Sequence, residues 1–157
     1  MACLLQENSV FPDMTVEENL RLGAYLMNDA QRARQAAERI FDRYPSLAAR
    51  RARPARVLSG GERRLLEISR ALMMDPQLLL IDEPSIGLEP RYIDMVFEIL
   101  LGLRREGRAL LTVEQNARKG LEAADIGCVV IAGEIAMVGT GQELLHDPAV
   151  GRLFLGG

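Results

Sequence analysis

Two adjacent carboxylates, Asp82 and Glu83, follow four consecutive large apolar residues, Leu78 to Ile81. A short unbroken apolar run suits a strand covered on both faces, as in a parallel sheet flanked by helices. Pro84 ends it, because proline cannot donate to a continuing ladder. The two acids thus fall at the C-terminal lip of a buried strand, where open α/β sheets place their ligands. Side by side, one carboxylate can hold a metal shell while the other handles a proton or a water. Taken alone, the pair also fits a strand end capped in solvent.

Upstream stands Ser59-Gly60-Gly61-Glu62, which opens a second chemistry. It reads as a capping box, with Ser59 accepting from the Glu62 N–H and Glu62 reaching back. Two glycines are unexpected there, since each weakens a helix by about 1 kcal/mol relative to alanine. Glycine is worth that cost where something must approach the backbone closely. A helix start with bare N–H groups is an anion site. Capping and phosphate binding are compatible.

The elements that must position these residues alternate between strand and helix. Residues 2–5 read as the tail of a strand with Gln6 at its end, and 8–13 as a loop. Thr15-Val16-Glu17-Glu18 is a capping box opening a helix to about Met27. A second helix fits 30–43, with Ala33, Ala37, Ile40, Phe41 and Tyr44 on one face, and the Arg-rich stretch 50–56 is a connector. After the Ser59 turn a helix runs to about Met74, with Leu65, Ile68 and Leu72 inward. Pro90 starts another helix, ended by Gly107. Ala109–Val113 reads as a further buried strand with Glu114 and Gln115 at its lip. A helix over 117–124, a hairpin around Gly133-Glu134 and a capping box at Thr140–Glu143 complete the chain. The fold class is α/β, with a helical block set into a mainly parallel core.

Composition excludes several classes. The 157 residues carry 19 basic against 22 acidic groups, a net charge of −3, where a dedicated nucleic-acid surface normally has an excess of Lys and Arg. Arg50, Arg51, Arg53 and Arg56 cluster, which fits a solvated loop. Cys3 and Cys128 are the two cysteines, too few for a disulfide framework or a zinc pattern, and a reduced cytosolic compartment is expected. No signal-peptide pattern opens the sequence, and no apolar run is long enough to span a bilayer. The single histidine, His146, fits a cap or turn residue and is not proposed as a ligand.

Joined, LSGGE (58–62), a helix, and LLLIDEP (78–84) resemble the signature motif and Walker B segment of ABC-type ATPases. Gln6 then resembles the Q-loop glutamine. Ser85–Glu89 stands in the D-loop position, with Glu89 where Asp is usual, and Gln115 where the family has its switch histidine. The nearest likeness is to the ATPase subunits of branched-chain amino acid importers, carried by FPDMTVEENLRLGAY (11–25), LSGGERRLLEISRALM (58–73), LIDEPSIGLEP (80–90), TVEQNARKGLEAAD (112–125) and FLGG (154–157). The glutamine of VEQN belongs to that subgroup.

The resemblance implies a partial P-loop NTPase (ABC ATPase) core with an inserted helical subdomain. It divides the chain into a Q-loop region (1–10), a helical subdomain with the signature motif (11–75) and an α/β core (76–157). ATP and Mg²⁺ are the implied cofactors, and phosphoryl transfer to water is the reaction, catalysed mainly by positioning and charge stabilisation. Asp82 would organise the Mg²⁺ shell and Glu83 would polarise the attacking water. Gln6 would touch metal or water, and Gln115 would contact the γ-phosphate without exchanging a proton. Ser59, Gly60 and Gly61, with Glu62 completing the turn, would hold the γ-phosphate of a nucleotide on a second ATPase subunit, identical or related. Permease subunits and, indirectly, a solute-binding protein are the implied partners, at the cytoplasmic face of the membrane and without nucleic acid.

No GxxxxGK[ST] occurs in these residues, and in the family the P-loop lies upstream of the Q-loop. The chain is therefore expected to be the C-terminal part of an ATPase subunit, binding MgATP weakly and hydrolysing none by itself. Poor solubility is expected from unpaired strands and uncovered apolar faces. Two other readings remain: a non-catalytic piece that lends its signature motif to an intact ATPase, and a soluble ABC ATPase acting on nucleic acid or the ribosome. The second fits a short, net-acidic chain poorly.

Overall fold

The computed structural model describes residues 1–4 and 9–154. Its elements run β1 (Ala2–Leu4), α1 (Val16–Gly23), α2 (Ala30–Arg43), α3 (Pro45–Ala48), α4 (Gly60–Leu72), β2 (Leu78–Asp82), α5 (Pro90–Arg105), β3 (Ala109–Val113), α6 (Ala117–Ala123), β4 (Ile126–Ile131), β5 (Glu134–Thr140), α7 (Gly141–Leu145) and α8 (Pro148–Phe154). They fall into two compact units, Met1–Leu111 and Thr112–Gly157.

The first unit is built around α4. That helix packs against α1, α3, α5 and β1, so it buries far more than one stripe. Leu65, Leu66, Ile68 and Leu72 are at most 8% exposed, and the polar Arg64, Glu67 and Ser69 are buried with them. β1, β2 and β3 form a three-stranded sheet in that order. β1 and β2 are parallel, with Ala2 opposite Leu79 and Leu4 opposite Ile81. The fold is α/β with a parallel sheet and helices, as the alternation of the sequence implies.

Capping chemistry sets several helix starts. Thr15 accepts from the Glu18 N–H at 3.2 Å, while the Glu18 carboxylate accepts from the Thr15 N–H at 2.7 Å. The Thr15 hydroxyl and then the Thr15 N–H, both donating to the Glu18 carboxylate, hold its pKa below the ordinary value. Asp29 caps α2 by accepting from the amides of Gln31 and Arg32. The loop ahead of α1 is wired by Asn19, which is fully buried. Its Oδ1 accepts from the Phe11 N–H at 2.9 Å, and its Nδ2 donates to the carbonyls of Phe11 and Thr15, both at 3.0 Å.

Four expectations are corrected. β2 is not covered evenly: Leu79 and Ile81 are buried, whereas Leu78, Leu80 and Asp82 are half-buried. β3 is not a buried strand: Leu111 is 62% and Val113 60% exposed, so the sheet face that carries them is left largely uncovered. α1 stops at Gly23, short of Met27, where close packing takes over: a methyl at Gly23 would overlap the Arg70 backbone carbonyl. The Arg-rich connector is no simply solvated loop. Arg50 pairs with Glu62, Arg51 with Glu17 and Glu38, and Arg56 with Asp13.

The second unit holds the β4–β5 hairpin, closed by Ala132 and Gly133, both with positive φ (52° and 85°). That pair gives the left-handed two-residue turn matching strand twist. Glu134, expected in the turn, starts β5. Leu121, Val129, Leu144 and Val150 form its small core. Thr140 and Glu143 make the expected capping box on α7.

Candidate functional site

The site is built in the first unit from the start of α4 and the end of β2. Ser59 is in extended conformation, its Oγ accepts from the Glu62 N–H at 3.3 Å, and Glu62 Oε2 accepts from the Ser59 N–H at 3.0 Å. Arg50 meets the other Glu62 oxygen at 2.8 Å. The two glycines have different causes. A methyl at Gly61 would overlap the Tyr92 ring, so that position is small because α5 packs onto it. Over Gly60 a methyl would meet only Leu88 Cδ2 at 3.9 Å, an ordinary contact. Close approach to the turn from outside is therefore possible at Gly60, beside a depression of about 220 Å³ lined by Arg63, Arg64 and Ile86–Leu88. The leading amides of a helix have no partner within it, so a phosphate oxygen has donors to meet there.

At the other end, Asp82 closes β2 and Glu83 turns sharply, with φ at +43°. A non-glycine residue in that region stores strain and must be held by its surroundings. The holder is Arg64. Buried to 7% exposure, it donates through Nε to the Pro84 carbonyl at 3.1 Å. Its Nη2 donates to the carbonyls of Asp82 and Glu83 at 3.4 and 3.3 Å. Its Nη1 pairs with Glu67 Oε2 at 2.8 Å. Glu67 Oε1 in turn accepts from the Ser9 N–H at 3.0 Å, and Arg70 donates to Ser9 O and Oγ, both at 2.6 Å. Burial lowers the Arg70 pKa. One helix thus connects the two: α4 starts at the Ser59 turn and its Arg64 holds the backbone of the Asp82–Glu83 pair.

Gln6 lies outside the described residues; Ser9 is the first described residue after it. Gln115 belongs to the second unit and is exposed. Its carbonyl accepts from the Ala117 N–H at 2.8 Å, and Glu114 Oε1 accepts from the Asn116 N–H at 3.0 Å. Arg64, Glu67, Ser9 and Tyr92 were not singled out from sequence. The available signal was an Arg and a Glu three apart inside a helix otherwise rich in Leu and Ile.

The donor set fits a nucleotide-bound Mg²⁺. That ion takes one or two carboxylates plus substrate phosphates, not an all-protein cage. Among the described residues no cluster of three or more His, Cys, Asp or Glu forms such a cage. No described helix is long and apolar enough to cross a membrane.

Comparison with known proteins shows the family and the fold. The profile of the ABC transporter family matches residues 1–86. The chain is 42% identical over 157 residues to the high-affinity branched-chain amino acid transport ATP-binding protein BraG of Pseudomonas aeruginosa, spanning 100% of this chain and 67% of that protein. Identity is 36% over 157 residues to an Archaeoglobus fulgidus protein named "Probable branched-chain amino acid transport ATP-binding protein LivF", across 99% of this chain and 66% of the relative. The lipopolysaccharide export system ATP-binding protein LptB of Haemophilus influenzae is 34% identical over 155 residues, covering 98% and 64%. A crystal structure of an ABC transporter's ATP-binding cassette in its ADP conformation matches with a TM-score of 0.80 at 27% identity, covering 99% of this chain and 68% of that one. A nucleotide-free cassette matches at 0.78 with 27% identity, over 95% and 66%. The chain spans about two thirds of the length of the curated relatives it matches. With a profile match over residues 1–86 and 42% identity to BraG along the whole of this chain, the protein belongs to the ABC transporter family.

Proposed function

We propose that the chain belongs to an ATP-hydrolysing subunit that docks on the cytoplasmic face of a membrane and energises an ABC importer, with branched-chain amino acids as the solute class. The observation that carries this reading is the 42% identity to BraG along the whole of this chain and 67% of BraG. ABC ATP-binding subunits work with permease components, and the helical block over 11–75 would receive one. A solute-binding protein would act on the permease's far side.

In this reading Asp82 holds the Mg²⁺ shell and Glu83 orients and polarises the attacking water. Gln6 touches metal or water, and Gln115 hydrogen-bonds the γ-phosphate. Ser59 and the amides at Gly60 and Gly61, in a turn completed by Glu62, grip the γ-phosphate of a nucleotide seated on a second ATPase subunit. Mg²⁺ supplies charge neutralisation on the phosphates when bound. By itself the 157-residue chain, which contains no GxxxxGK[ST], binds MgATP weakly, since that loop cradles the phosphates.

The test is reconstitution with permease subunits and a P-loop-bearing ATPase subunit. ATP hydrolysis stimulated by Leu, Ile or Val is the expected result, and stimulation by other solutes alone would overturn the solute class. LptB, named for lipopolysaccharide export, makes the solute the finest part of the proposal. A second reading is a piece that only lends its Ser59 turn to an intact partner, a role that the open space over Gly60 would serve. Glu83→Gln in a subunit that carries this chain joined to a GxxxxGK[ST] segment distinguishes them: it abolishes hydrolysis at that subunit's own site in the first reading and leaves total hydrolysis unchanged in the second.

A further inference from the structure

We propose that the buried Arg64–Glu67 pair is a positioning unit that couples Ser9 to the left-handed turn at Glu83. This rests on the reading of Asp82 and Glu83 as the nucleotide-facing acids, and adds to it how their backbone is set.

Three observations carry it. Both side chains are buried, at 8% and 6% exposure, and meet at 2.8 Å. A buried ion pair gains little stability over well-packed apolar residues, so its retention calls for a reason in specificity or switching. Next, the pair is two-ended. Arg64 donates to three successive carbonyls, Asp82, Glu83 and Pro84, while Glu67 accepts from the Ser9 amide at 3.0 Å. Last, the Arg64 end grips Glu83, which is strained at φ +43°. A guanidinium presents a fixed fork of donors, so tilting it to follow Glu67 changes all three carbonyl contacts together. Displacement of Ser9, next to the segment carrying Gln6, therefore reaches Glu83 through two side chains on one helix turn.

Arg64 and Glu67 touch no nucleotide in this reading; they act through the backbone of the acids. The readout is amide hydrogen exchange at Ile86 and Leu88, whose N–H groups donate to the carbonyls of Glu83 and Ser85 at 3.3 Å. Ser9→Pro removes the donor to Glu67 and is expected to raise exchange at both amides about tenfold. In an Arg64→Met, Glu67→Met background, which replaces the pair by apolar side chains of similar length, the same Ser9→Pro change is expected to have no effect on them. A pair that merely stabilises the fold gives the same response to Ser9→Pro in both backgrounds, and that result would overturn the proposal.

Arg64→Lys supplies an independent arm that leaves Ser9 intact. Lysine keeps a charge for Glu67 but has no fork, so exchange at Ile86 and Leu88 rises about tenfold while the Ser9 amide, which donates to Glu67, stays as in the parent. Unchanged exchange at Ile86 and Leu88 in Arg64→Lys would also overturn it. No nucleotide is added in either arm, so failure here removes the coupling alone and leaves the ATP reading to its own test.

Discussion

Gly61 lies against the ring of Tyr92 so closely that a methyl group there would overlap it. The glycine thus serves helix packing between α4 and α5, while its neighbour Gly60 keeps open space above it. Gly61→Ala should destabilise the chain by about 1–3 kcal/mol, the usual cost of overpacking a core contact. Gly60→Ala should be neutral or stabilising by up to about 1 kcal/mol, from helix propensity. Urea midpoints of the two variants check the contrast. Equal loss at both positions would mean the turn is packed on both sides.

Asn19→Leu should cost about 2–4 kcal/mol. The leucine fills the volume but leaves the Phe11 N–H and the carbonyls that Asn19 serves without their partner, each a desolvation penalty of about 1–3 kcal/mol if it stays buried. Because that loop leads from Ser9 into α1, exchange at Phe11 should rise together with the loss of stability. Denaturant titration with exchange at the Phe11 amide is the measurement.

Acid sensitivity should trace to Glu17. The Arg51 guanidinium, hydrogen-bonded at 2.7 and 2.9 Å, pulls its carboxyl down from 4.5 to about 2, with Arg21 adding to the effect. A carboxyl whose folded pKa lies below its unfolded value stabilises the fold above the unfolded pKa. That contribution is fully present above about pH 4.5 and is lost as pH falls toward 2. Stability of the parent should therefore fall across this window, and Glu17→Gln should flatten the fall. Melting temperatures at pH 5, about 3.5 and about 2.5 decide it.

The β4–β5 hairpin presents Ile126 at 74%, Ile135 at 68% and Val138 at 64% exposure. An apolar surface of this kind on strands promotes association. Ile126→Thr with Ile135→Thr should raise the soluble yield and reduce light scattering without lowering the melting temperature. A monodisperse parent chain with scattering equal to that of the variant would contradict this.

Much of the fold was legible in short-range chemistry. The capping boxes at Thr15, Ser59 and Thr140 and the bounds of α2 are local, and they appear where the residues place them. The acid pair at the end of β2 was equally readable, because an apolar run stopped by proline needs no tertiary information. What failed was long-range. β3 has the composition of a buried strand, but exposure depends on neighbours that hydrophobicity along the chain does not encode. The partners of Arg50, Arg51 and Arg56 lie as far away as Asp13 and Glu17. Arg64 and Glu67 are three apart in sequence, but that α4 is surrounded and buries them is not written in that spacing. Gly61 was readable as unusual; that a tyrosine ring was the cause was not.

Sedimentation velocity of the chain mixed with BraG, with and without MgATP, tests most directly the idea that the Ser59 turn grips a nucleotide on a second subunit. MgATP should drive association in the parent, and Ser59→Arg, which places a bulky side chain at the turn, should abolish that response while costing about 1 kcal/mol of stability from the lost helix cap. Association that ignores MgATP, or that persists undiminished in Ser59→Arg, would contradict it.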